Sequence, residues 1–96
     1  MSEARRPPVL GIHVREEVSR GATLSYVPFV SDKNRLEWEV YITFPDGDRQ
    51  PVLVSKTAKP KVLKTADAVV SYNRDLFPQS EGVFLPYPSL GDSEEA

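Results

Sequence analysis

Leu36, Trp38, Val40, Ile42 and Phe44 alternate with Glu37, Glu39, Tyr41 and Thr43 through the stretch RLEWEVYITF, Arg35–Phe44. A period of two puts apolar side chains on one face of a pleated strand and polar ones on the other. The segment is therefore expected to be a strand with one buried and one wet face, Trp38 packing in the core. PDGD (Pro45–Asp48) supplies turn chemistry, with Gly47 free to take positive φ. The chain is expected to return as a hairpin strand over Arg49–Ser55. Pro51 cannot donate to a ladder and points that strand to a sheet edge.

Upstream, VLGIHV (Val9–Val14) sets Leu10, Ile12 and Val14 on one side and reads as a first strand. ATLSYVPFV (Ala22–Val30), bounded by Gly21 and the polar turn SDKN, reads as a second. Pro28 belongs at an edge, at a bulge or beyond the paired part. Downstream, one helix is expected over Ala66–Asp75. Thr65 is a natural N-cap, and Asp67 complements the positive end of the dipole. Ala66, Val69, Val70, Asn73 and Phe77 form its inner face, interrupted by Asn73, and Pro78 stops it. Gly82–Pro86 is expected to add a short strand or to pack as an extended segment.

The expected fold is α+β: a small antiparallel sheet of about four strands in β-β-β-β-α order, with one C-terminal helix on one face. Residues 1–8 read as a flexible basic arm, 9–86 as a single domain and 87–96 as an extended or disordered acidic tail. Across residues 9–77 this order of four strands and a helix, followed by an acidic tail, resembles the arrangement of Whirly-type single-stranded-DNA-binding proteins, which work as oligomers. The likeness is one of element order, with no shared motif.

Composition narrows the picture. Ninety-six residues suffice for one domain, and 40% hydrophobic with 27% charged residues is ordinary for a folded one. There is no cysteine, which removes disulfides, thiolate metal sites and a cysteine nucleophile. The N-terminal stretch has no continuous apolar core of a secretory signal. No apolar run approaches the roughly 20 residues that span a bilayer. A cytoplasmic protein without membrane contact is the expectation. Net charge is −2, but Asp92, Glu94 and Glu95 lie at the very end, and without them the balance turns positive.

Catalytic chemistry finds few candidates. His13 is the one histidine, with no ligand pair at helical spacing around it. Asp46 and Asp48 flank Gly47 as turn formers, without the twelve-residue calcium pattern. Glu16 and Glu17 are adjacent and read as pointing to opposite faces. No glycine-rich phosphate loop is present. The chain is expected to be no enzyme and to use no cofactor or metal.

The basic run is the sharpest signal. From Arg49 to Lys64 the chain carries Lys56, Lys59, Lys61 and Lys64 and no acid. Pro60 favours an extended Lys59, which lets Lys59 and Lys61 share a side. The first expectation is thus a nucleic-acid-associated module. Lys56, Lys59, Lys61 and Lys64 would contact phosphates, Arg5 and Arg6 would form a basic arm, and Tyr26, Phe29 and Tyr41 would be available for stacking. The alternative is a protein-interaction module, an adaptor, inhibitor or subunit. It would pair through a strand edge or dock through Phe84, Leu85, Tyr87 and Leu90. Either reading admits a homo-oligomer.

Overall fold

The computed structural model describes residues 6–86. Seven elements follow one another: β1 (Val9–Leu10), α1 (Gly11–Ser19), β2 (Thr23–Val30), β3 (Leu36–Thr43), β4 (Arg49–Leu53), β5 (Val62–Leu63) and α2 (Ala66–Leu76). The sheet order is β1-β4-β3-β2, with β5 paired to β3 on the side that β4 also uses. β1 runs parallel to β4, and the other pairs are antiparallel. The protein is a small α+β unit with a mixed five-stranded sheet and two helices, rather than an all-antiparallel four-stranded sheet with one.

The alternation in β3 is realised. Trp38, Val40 and Ile42 are buried and Phe44 continues the series. Tyr26, Val52, Leu63, Val14 and Val69 join them in one cluster. Because Val14 belongs to α1 and Val69 to α2, both helices cover the same sheet face. The other face is only half wet. Glu37 is buried and Glu39, Tyr41 and Thr43 are half-buried. Phe29 stands directly opposite Glu37 in the register, and cross-strand neighbours of this size shield one another.

The first expected strand is the main correction. Only Val9 and Leu10 pair, and the chain then turns into α1. Val14 and Val18, four apart, are the residues that α1 turns inward. The alternation of Leu10, Ile12 and Val14 is therefore incidental, and Ile12 is 71% exposed. No side chain within the helix caps its start. Instead the Ile12 N–H donates to Ser55 Oγ at 2.9 Å. With the extra helix the order across residues 9–77 is β-α-β-β-β-β-α, so the plain four-strands-then-helix order of the Whirly likeness is preceded by a strand and a helix that it lacks.

The hairpin forms as its turn residues dictate, with Gly47 at φ +94°. β4 is nevertheless an inner strand, because β1 pairs along Val52 and Leu53. Pro51 is tolerated just before that pairing begins. After Leu53 the chain leaves the sheet, turns through Ala58 at φ +57°, and closes on itself through a Leu53–Pro60 bridge. Lys61 then stands between the two neighbouring strands: its N–H donates to Val52 O at 2.9 Å and its carbonyl accepts from Val40 at 3.2 Å. β5 is the resumption of the strand that β4 began.

α2 matches its expected bounds within a residue, but its inner face is Ala68, Val69, Tyr72 and Leu76, whereas Ala66 and Val70 are exposed. Thr65 Oγ1 accepts from the Ala68 N–H at 3.0 Å, Asp67 lies in the first turn and Arg74 in the last. Asn73, the polar interruption of its inner face, accepts a 2.7 Å hydrogen bond from the Tyr26 hydroxyl. Residues 82–86 form no strand, but Val83 and Leu85 pack on the core and Pro86 O accepts from Trp38 Nε1 at 3.1 Å.

Candidate functional site

β2 closes one side of the sheet and has no strand beyond it among the described residues. Which of its backbone groups are free follows from the neighbouring bonds. Phe44 donates to Asp48 O at 2.8 Å and Val40 to Lys61 O, so even-numbered residues along β3 turn toward β4 and β5. Odd-numbered residues then turn toward β2, since an antiparallel strand addresses its two neighbours alternately. The pairs Thr43–Thr23, Tyr41–Ser25, Glu39–Val27 and Glu37–Phe29 carry that ladder. The bond from Ser31 N–H to Arg35 O, 2.9 Å, continues it. Leu24, Tyr26, Pro28 and Val30 thus aim their main-chain groups away from the sheet. Pro28, which has no N–H, occupies an outward position and costs the ladder nothing.

Beside this edge lies an open groove of about 410 Å³. Its floor is the edge from Leu24 to Pro28, and its far wall includes Phe77, Val83 and Phe84. The wall is held in place by a turn after α2, where Ser80 N–H donates to Phe77 O at 3.0 Å and Ser80 Oγ to Gly82 O at 2.7 Å. The Trp38–Pro86 bond fixes its other end. Phe84 is 80% exposed and Val30 is 47% exposed. β2 carries no charged residue. Ser25 Oγ is buried there without a hydrogen-bond partner among the described residues.

The lysines are placed elsewhere. Lys56 and Lys59 are exposed on the excursion after β4, and Lys64 is exposed just before α2. None takes part in an ion pair among the described residues. Lys61 is half-buried with its ammonium 5.3 Å from the centre of the Tyr72 ring. That contact turns Lys61 toward the helices.

Arg6 is engaged rather than mobile. Its Nη1 lies 2.7 Å from Asp46 Oδ2 and 3.5 Å from Asp48 Oδ2, and its guanidinium sits 4.2 Å above the Phe44 ring centre. The backbone N–H of Asp48, and then Arg6, hold the Asp46 carboxyl below its ordinary range. Tyr26 is buried and bonded to Asn73, so it offers no face to a base. Burial, with a smaller contribution from Tyr72, pushes its hydroxyl well above the ordinary value. Tyr41 lies under Arg49, 4.6 Å from its ring centre, and donates to Glu39 Oε1 at 3.4 Å. It stands between Arg49 and Glu39, not with the lysines. Phe84 and Leu85 reach the groove and the core respectively, while Arg5, Tyr87 and Leu90 lie outside the described residues.

His13 is exposed on α1. No group of three metal-ligating side chains occurs among the described residues, and no helix there is long and apolar enough to cross a membrane. Leu24, Phe77 and Val83 are the groove residues that sequence reasoning passed over. The available signal was a charge-free strand interrupted by proline, which favours an edge without requiring one, as Pro51 in the inner β4 shows. No family model, curated protein or solved structure matches the chain.

Proposed function

We propose that this chain is a non-enzymatic protein-interaction module that takes an extended, apolar segment of a partner protein as an added strand along β2. The carrying observation is the row of outward backbone groups at Leu24, Tyr26, Pro28 and Val30 beside an apolar groove. Strand addition draws affinity from main-chain bonds and selectivity from the pockets that receive alternate side chains. Here the outward main-chain groups of Leu24, Pro28 and Val30 are at least partly exposed, Tyr26 between them is buried, and Phe77, Val83 and Phe84 supply the pocket wall. Arg49 is the one charged residue lining the groove among the described residues, so a basic ligand segment is disfavoured and an apolar one suits the Phe77, Val83 and Phe84 wall.

The test uses extended peptides selected by display on the immobilised full chain and then resynthesised. Binders are expected to shift the amide resonances of Leu24, Tyr26 and Val30 and to lose about tenfold in affinity when Leu24→Pro removes one edge donor. Phe84→Asp, at an exposed position, checks the groove wall without touching the core. Peptides that bind equally to both variants would refute the reading.

A second reading rests on the exposed Lys56, Lys59 and Lys64, which form no ion pair among the described residues. These could neutralise phosphates of a single-stranded nucleic acid with strong salt dependence. It ranks second because Arg6 is engaged by Asp46 and Tyr41 by Arg49, so the expected arm and stacking residue do not join the lysines. Titration of single-stranded DNA at two salt concentrations, with Lys56, Lys59 and Lys64 changed to Glu, decides it. Binding that ignores the changes removes it.

A further inference from the structure

We infer that the strand added to β2 is the β2 of a second copy, the two running antiparallel about a two-fold axis through Ser25. This rests on the strand-addition reading and names its partner. The edge is suited to itself: eight residues long and free of charge, it opposes no like charges in any self-pairing. Centring the axis on Ser25 sets Leu24 of each copy opposite Tyr26 of the other. Both residues turn their N–H and carbonyl outward, so they exchange four hydrogen bonds once the Phe77–Phe84 wall gives way over Tyr26, which is 3% exposed in the single chain. The next positions out pair Ala22 with Pro28. Ala22 already donates its N–H to Glu17 O at 3.1 Å, and Pro28 has none. Neither position can donate across the junction, so the ladder ends there with the Ala22 and Pro28 carbonyls unpaired between the copies.

Ser25 chooses this register over its neighbours. It faces β3 with its main chain, so across the new junction the two Ser25 residues form a non-hydrogen-bonded pair, the site where side chains come closest. Rotation about one side-chain torsion brings each Oγ, now buried without a partner, to the other. The flanking pairs on that face, Thr23 with Val27, are small enough for close approach. Phe84 borders the same edge and would be covered along with it.

The absence of cysteine makes the test direct. In this register the Ser25 Cα atoms come within about 4.5 Å across the axis, inside the span a disulfide bridges. Those of Val27 are about 13 Å apart. Wild-type protein is expected to approach twice the chain mass by light scattering as concentration rises. Ser25→Cys should oxidise to a covalent dimer and Val27→Cys should not, while the Thr23→Cys, Val27→Cys double variant should. A chain that stays monomeric, or cross-links equally through either single variant, overturns the inference. A monomer that still binds selected peptides along Leu24 and Tyr26 overturns only the choice of partner. A monomer that binds none of them removes the strand-addition reading as well.

Discussion

Ser55 caps the start of α1 from 43 residues beyond Ile12: its Oγ accepts the Ile12 N–H at 2.9 Å. The first turn of α1 has no other side-chain acceptor, so the excursion after β4 and the start of α1 form one structural unit. Loss of an N-cap acceptor costs about 1 kcal/mol. Ser55→Ala is expected to lower the unfolding free energy by about that amount in urea titration, with an unchanged denaturant slope.

Tyr26 and Asn73 join β2 to α2 through a 2.7 Å hydrogen bond. Removing the hydroxyl in Tyr26→Phe is expected to cost about 1 kcal/mol near neutral pH. The same hydroxyl makes stability depend on pH in the alkaline range. Its folded-state value lies above the ordinary 10.0, so the unfolded chain releases the proton first. The contribution is intact below pH 10 and declines as pH rises from there toward the folded-state value. Denaturation series above pH 10 should show a shallower decline for Tyr26→Phe than for the wild type.

Ala58 holds φ +57° within the lysine-bearing excursion, a conformation that costs a residue with a Cβ about 1 kcal/mol. Ala58→Gly is expected to recover part of this, offset by the greater entropy of the unfolded glycine chain. A thermal midpoint that rises, with nucleic-acid titrations unchanged, would show the strain to be structural. A change in nucleic-acid affinity would instead support the second reading.

Where local chemistry decides the structure, the sequence was readable. β3 announces itself by alternation, the turn by Gly47, and α2 by Thr65, Asp67 and Pro78. α1 was hidden because its cap comes from Ser55 across the fold, leaving an accidental alternation at Leu10, Ile12 and Val14. β1 and β5 are two residues each, too short for any period to show. The candidate edge was half visible. Pro28 allowed an edge, a bulge or an unpaired end for β2, but which of these holds and which amides point outward depends on the register with β3, which only the fold supplies. The lysines were visible, yet the partners of Arg6 and Tyr41 were not, since Asp46 and Arg49 reach them through tertiary contacts.

Amide hydrogen exchange followed residue by residue tests the open edge most directly. In dilute solution Leu24, Tyr26 and Val30 should exchange quickly, while Ser25, Val27 and Phe29, bonded to β3, exchange slowly. Raising the protein concentration should then protect Leu24 and Tyr26. Slow exchange at Leu24 and Tyr26 in the dilute monomer, or rates at those two amides that never respond to concentration or to an added strand peptide, would contradict the account.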